Sequence, residues 1–225
     1  MIIGIVGSIG SGKDTIADYL SNFHEFRRES FASSVKDVLS NIFGWDRTLL
    51  EGRTKESREW REQVDEWWAT RLNIPHLTPR WVMQNFATDL CRDQFHKDIW
   101  IASLENKLKK SKDNVVITDC RFPNEFESIK NLGGKIIRVK RGPEPVWHHF
   151  VKDALNGDQT SKSILLRQYG IHESEWAWYG LKFDYTIEND GSIEQLYNQT
   201  ALIINQDANP LVSTESLPDV ISADS

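Results

Sequence analysis

The segment GSIGSGKDT at residues 7–15 holds the residue types that bind phosphate, because Gly7 to Lys13 has the spacing G-x-x-x-x-G-K between an apolar run and an amphipathic one. Gly7, Gly10 and Gly12 let the backbone wrap around an anion, with N–H groups of Ser11 and its neighbours turned inward and the positive end of the next helix behind them. Lys13 is long enough to reach the β- and γ-phosphates of a nucleotide. The Ser or Thr that commonly follows the lysine is replaced by Asp14, and the hydroxyl comes one position later, at Thr15. A carboxylate at position 14 can hold Mg²⁺ through water or act as a base toward an acceptor. The plainer alternative is an acidic residue that suits the helix dipole and nothing more.

Val115 to Thr118 is an apolar, β-rich run that ends on Asp119. A carboxylate there, beside a phosphate loop, is placed to hold Mg²⁺, although many strands simply end in an Asp-containing turn. Arg121 lies two residues on, where a planar guanidinium would clamp phosphate. Transfer between two phosphate-bearing molecules needs more positive charge, and the candidates are Lys36, Arg80, Arg92, Arg121, Arg138 and Arg141. Arg80, Gln84, Thr88 and Arg92 recur at four-residue steps, so a helix sets them on one face, toward an acceptor or toward solvent. His172, Ser174 and Glu175 form a compact polar group with no serine-hydrolase signature around it. Trp147, His148 and His149 lack zinc-site spacing and are expected in a lid or packing segment.

The elements that must position these groups alternate between strand and helix. Met1–Val6 reads as a buried strand and Lys13–Phe23 as a helix; Arg28–Ala32 is a weaker strand, followed by a helix from Ser33 or Ser34 to Phe43 that Gly44 ends. Residues 45–79, rich in tryptophan and charge, read as a helical insertion. Helical spacing resumes over 80–96 behind Pro79, and again from Trp100 to Leu108. Strands at 115–118 and 135–140 flank a helix from Asn124 to Leu132, and a polar stretch, 142–181, leads to a last strand at 185–188. The turn Asn189-Asp190-Gly191 and a helix from Ser192 follow. This order predicts an α/β class with five parallel strands in a single domain over 1–204. Residues 205–225 have two prolines and no aromatic side chain, and are expected to be a disordered tail.

With 27 Lys and Arg against 33 Asp and Glu, the net charge is −6, so no global field attracts a polyanion; a free nucleotide is favoured over nucleic acid, and no stable nucleic-acid binding is expected. Cys91 and Cys120 sit in apolar segments and are expected as buried thiols in a reducing compartment. No window approaches the ~20 apolar residues of a membrane span, and the apolar run Ile2–Val6 is too short for a signal peptide, so a cytoplasmic location is expected.

Taken together, GSGKDT, FASSVKDVL, RWVMQNFATDLCRD followed by Trp100, DCRFPNE and IENDGSIEQL give the chain an order of motifs that resembles the deoxynucleoside monophosphate kinases of tailed bacteriophages, the T-even enzyme among them. The resemblance implies a nucleoside-monophosphate-kinase-like P-loop fold, a five-stranded parallel sheet flanked by helices, with residues 45–79 as acceptor-binding insertion and 142–181 as lid. It implies ATP and Mg²⁺ as cofactors and small nucleotides as partners, with the host cytoplasm as location if the chain is phage-encoded; a homodimer stays open. By the same resemblance Lys13, Asp14, Arg121 and Arg141 are catalytic, and Asp14 and Asp119 hold metal. Gly7, Gly10, Ser11, Gly12, Lys13, Thr15 and Gly191 bind ATP, and Lys36, Arg80, Gln84, Thr88 and Arg92 bind the acceptor. The insertion is shorter than in the T-even pattern, so the acceptor's base, ordinary or modified, does not carry over. The alternatives are a kinase of dephospho-coenzyme A or of a nucleoside, a P-loop enzyme acting on modified bases in DNA, and a nucleotide switch without turnover.

Overall fold

The computed structural model describes residues 1–208. Five strands, β1 Ile2–Val6, β2 Phe26–Glu29, β3 Asn114–Ile117, β4 Lys135–Lys140 and β5 Tyr185–Glu188, form one parallel sheet in the order β2-β3-β1-β4-β5. The helices are α1 Lys13–Phe23, α2 Ser33–Phe43, α3 Arg47–Glu51, α4 Lys55–Arg61, α5 Glu66–Leu72 and α6 Pro79–Gln84. A π-helical stretch, Asn85–Phe95, continues α6; then come α7 Ile99–Lys109, α8 Pro123–Asn131, α9 Val151–Leu155, α10 Gln159–Arg167 and α11 Ile193–Ala208.

Side chains alternate across the pleat, so each of the three central strands feeds two cores. Ile3, Ile5, Val116, Ile137 and Val139 pack with Ile16 and Leu20 of α1 and Leu196 of α11. Val6, Val115, Ile117 and Ile136 face Ile101 and Leu104 of α7 and Phe126 and Ile129 of α8. Each such side chain removed from water contributes about 1.5–3 kcal/mol. Two smaller cores stand apart from the sheet. One joins residues 45–79 to α2 and α6: Leu39, Trp45, Leu50, Leu77 and Val82 collect Phe43, Trp60 and Trp68, and Trp45 Nε1 donates to Asp65 at 2.8 Å. Over residues 147–176, Val151, Ala154, Leu165 and Trp176 pack with Trp147 and Phe150.

Three expectations change. The second strand runs over Phe26–Glu29 rather than 28–32, because buried Phe26 pairs with Asn114 at the start of β3 and the chain turns at Ser30. The N–H groups of Phe31 and Ala32 are spent on the Asp119 carboxylate and cannot join a ladder. Cys91 lies half-exposed on the π-helical stretch, and only Cys120 is buried. Residues 205–208, expected in a disordered tail, complete α11; the rest of that tail lies outside the described residues.

Candidate active site

The loop after β1 closes tightly because three elements leave no room for side chains. A Cβ on Gly7 would stand 2.3 Å from Val139 O, and Gly12, at φ +108°, would press one to 2.4 Å from Asn189 Nδ2. That amide donates to Ser11 O at 2.8 Å, so the turn after β5 is fastened to the loop. Ser11 is buried, and its N–H donates to Ser8 O at 3.1 Å. Lys13 Nζ donates to Gly7 O and Ser8 O at 2.7 and 2.8 Å. Burial, helped by Arg121, holds the Lys13 pKa below its usual value. Beside the lysine lies a cavity of about 350 Å³ lined by Gly10, Gly12, Lys13, Thr15, Arg141, Asn189 and Gly191.

A second cavity, of about 330 Å³, opens on the other side of Lys13 and contains Asp14, Arg28, Lys36, Arg53, Arg61, Asp119 and Arg121 in its wall. A third, of about 360 Å³, shares Lys36, Arg61, Asp119 and Arg121 with it and adds Phe31, Met83, Trp100 and Phe122, with Thr88 and Arg92. Trp100 is fixed by its indole N–H, which donates to Ala87 O at 3.0 Å, and the Arg92 guanidinium lies 5.5 Å from the centre of the Phe122 ring.

The cations of the second cavity differ in what they already hold. Arg28 pairs with Asp14 and Asp18. Lys36 bonds Glu51 at 2.7 Å; burial opposes ionisation of Glu51, yet Lys36 and Arg47 bring its pKa down to about 2. Arg121 pairs with Glu175 and donates to Ser174 Oγ at 3.0 Å. Arg53 and Arg61 carry no acidic partner among the described residues, and Arg61 Nε is buried without a hydrogen bond. The Arg61 guanidinium crosses the chain at Gly52, φ +68°, where an added Cβ would fall 2.1 Å from its Nη2.

The acids are equally distinct. Asp14 is 75% exposed, whereas Asp119 is half-buried, accepts the N–H groups of Phe31 and Ala32 at 3.1 and 3.2 Å, and is pushed up by desolvation. Glu125 Oε2 accepts the N–H groups of Arg121 and Phe122 at 2.7 and 3.1 Å. Burial first, and the Asp119 charge second, raise the Glu125 pKa to about 7. No group of three or more His, Cys, Asp or Glu among the described residues could hold a metal by itself. The pair Asp14 and Asp119, both on the 330 Å³ cavity, fits Mg²⁺, which binds through one or two carboxylates together with substrate phosphates.

Of the residues expected on the acceptor face, Thr88 and Arg92 reach the 360 Å³ cavity, while Arg80 and Gln84 line none of these three. Arg80 stands two helical turns earlier, roughly 10 Å along the axis, and pairs with Glu62 on the surface. Arg138 bonds Glu144 at 2.6 Å and lies over Trp178, Tyr179 and Phe183. His172 accepts the Ser174 N–H at 3.2 Å and caps a short turn. Sequence reasoning missed Arg28, Arg53, Arg61, Trp100 and Glu125 as site residues. Glu125 was visible within DCRFPNE but looks like an ordinary acid at a helix start, and Gly52-Arg53 was the one local hint of a turn that presents charge.

A phosphate loop after the central strand of a parallel sheet, with a nucleotide-sized cavity on one side of its lysine and a cation-lined cavity on the other, defines a P-loop phosphotransferase. The family model described as deoxynucleotide monophosphate kinase matches residues 51–165. The chain is 30% identical over 214 residues to a protein of Acanthamoeba polyphaga mimivirus provisionally named as such a kinase, with 88% of this chain and 93% of that one covered. It is also 30% identical over 227 residues to the deoxynucleoside-5'-monophosphate kinase of Escherichia phage T5, with 77% and 88% covered. Among solved structures, a dephospho-CoA kinase from Campylobacter jejuni gives a TM-score of 0.45 at 16% identity, covering 91% of this chain and 96% of that one. A shikimate kinase from Aquifex aeolicus gives 0.43 at 12%, covering 92% and 98%. The chain belongs to the deoxynucleotide monophosphate kinase family. No described helix is long and apolar enough to cross a membrane.

Proposed function

We propose that the cavities on the two sides of Lys13 divide the reaction of the family, phosphorylation of a deoxynucleoside monophosphate by ATP, between donor and acceptor. The triphosphate lies on the loop from Gly7 to Thr15, with the adenosine toward Arg141, Asn189 and Gly191. The acceptor's 5'-phosphate lies among Lys36, Arg53 and Arg61, and its base lies against Trp100 and Phe31 with Thr88 and Arg92 at the rim. In-line transfer then gives ADP and a deoxynucleoside diphosphate, with Lys13 and Arg121 neutralising the transferring group. Mg²⁺, held by Asp14 and Asp119, would offset charge on the phosphate oxygens.

The observation that carries this division is the pair of arginines without acidic partners among the described residues, Arg53 and Arg61, opening on the cavity that Lys13 and Asp119 share. Arg61 is half-buried, and its Nε lacks a partner among the described residues, which calls for an anion; exposed Arg53 adds positive charge beside it, and a phosphate dianion satisfies a forked guanidinium best. With a net charge of −6, a free nucleotide suits the chain better than a nucleic-acid end. Equilibrium titration with a deoxynucleoside monophosphate tests the division: Arg61→Gln should weaken acceptor binding and leave ATP binding as in wild type. Equal loss of both ligands would refute it.

A further inference from the structure

Arg121 is already engaged in this conformation. Its Nη1 donates to Ser174 Oγ at 3.0 Å and pairs with the Glu175 carboxylate, both from the lid. Ser174 is held from behind by His172, which accepts its N–H. Four residues after Glu175, the Tyr179 hydroxyl comes within 3.4 Å of Ser8 Oγ on the phosphate loop, and neighbouring Trp178 is buried in the sheet core. Glu175 also acts on Lys13: burial and Arg121 lower that ammonium's pKa, and Glu175 is the first group to oppose them. One lid carboxylate therefore faces both cations assigned above to the transferring phosphoryl group. A γ-phosphate and this carboxylate cannot occupy Arg121 together without strong like-charge repulsion.

We infer that Glu175 stands in for the γ-phosphate: its carboxylate holds Arg121 until a nucleoside triphosphate displaces it, which couples triphosphate binding to release of the lid from Arg121. The inference rests on the proposed function, which gives Lys13 and Arg121 to phosphate. Only ion pairs exchange, and no covalent bond changes. The coupling is reciprocal, so a ligand with a γ-phosphate bears the cost of breaking the pair, and one without it does not. Glu173 supplies a control, being exposed and not bonded to Arg121.

Calorimetric titration of the full chain with a non-hydrolysable ATP analogue and with ADP tests this in wild type, Glu175→Gln and Glu173→Gln. Glu175→Gln should bind the analogue about threefold more tightly or better, as expected when a partly exposed ion pair no longer competes. Its ADP affinity should change less, and Glu173→Gln should change neither. Ser174→Ala, which weakens the latch without altering charge, should shift analogue binding in the same direction by a smaller factor, and it carries the test if melting curves show Glu175→Gln unfolded. Unchanged or weaker analogue binding, or an equal gain for both nucleotides, would overturn the latch while wild-type binding keeps the proposed function standing. A wild type that binds neither nucleotide would instead sink the proposed function, and the latch with it.

Discussion

The proposed donor and acceptor sides of Lys13 are built on different plans. The donor side is mostly backbone: the loop from Gly7 to Thr15 and the turn at Asn189 are joined by one amide-to-carbonyl bond, and two glycines allow the approach. The acceptor side is mostly side chains, drawn from the loop before α2, the insertion, the π-helical stretch, α7 and the segment from Asp119 to Glu125. Backbone geometry tolerates little change, because a Cβ at Gly7 meets the Val139 carbonyl, and one at Gly12 would sit on a backbone at φ +108° and displace the Asn189 amide that fastens the turn. Side chains on five separate elements can be exchanged one at a time, so the proposed acceptor side is the more tolerant of substitution.

The largest expected effect falls on the group that both sides share. Lys13→Ala should lower kcat by about 10³-fold, with melting behaviour close to wild type, because the missing ammonium acts on charge that develops during transfer. Unchanged turnover would break the comparison at its centre. Next, steady-state kinetics of Arg61→Ala should show KM for the acceptor raised about 10- to 100-fold, the worth of charge-assisted bonds to a phosphate, while KM for ATP stays near wild type. A parallel Arg80→Ala variant should change neither constant appreciably, since Arg80 is paired with Glu62 at the surface.

Glu125 gives a pH test of the acceptor wall. Its pKa rises from 4.5 to about 7 on folding, so the native state binds more protons than the unfolded one between those values. Stability is then full below pH 4.5 and declines as pH rises through 7, by on the order of 3 kcal/mol. Denaturant unfolding at pH 5 and pH 8 should show this decline in wild type, and Glu125→Gln, whose amide oxygen can still accept from Arg121 and Phe122, should flatten it. A wild-type profile that rises over this range would contradict the assignment. The smallest effect is expected from Gly52→Ala, about 1 kcal/mol of stability for a side chain at positive φ. It should be accompanied by a modest rise in acceptor KM as Arg61 is displaced; an unchanged KM would show that Arg61 does not depend on this crossing.

The same contrast explains what the sequence made legible. The donor side was readable because Gly7, Gly12 and Lys13 stand at fixed spacing in one segment, and each type has a backbone reason to be there. The strands at 115, 135 and 185 were readable from their apolar runs. Arg61 was not, because Arg53, Arg58, Arg61 and Arg71 look alike in a charged insertion, and only the turn at Gly52 decides which of them crosses toward Lys13. The face drawn through Arg80, Gln84, Thr88 and Arg92 assumed one regular helix; the chain becomes π-helical at Asn85, and only the later half of that row reaches the cavity. Arg28 was read as the first residue of a strand that in fact begins at Phe26, and nothing in its local sequence pointed to its pairing with Asp14.

The most direct test of the whole account is ADP release by the wild-type chain with ATP and a panel of acceptors: dAMP, dGMP, dCMP, dTMP, their hydroxymethylated forms, dephospho-coenzyme A and a nucleoside. The account predicts ADP formation that depends on a deoxynucleoside monophosphate and yields the diphosphate in equal amount. ATP turnover indifferent to these acceptors, or selective for dephospho-coenzyme A or the nucleoside, would contradict it.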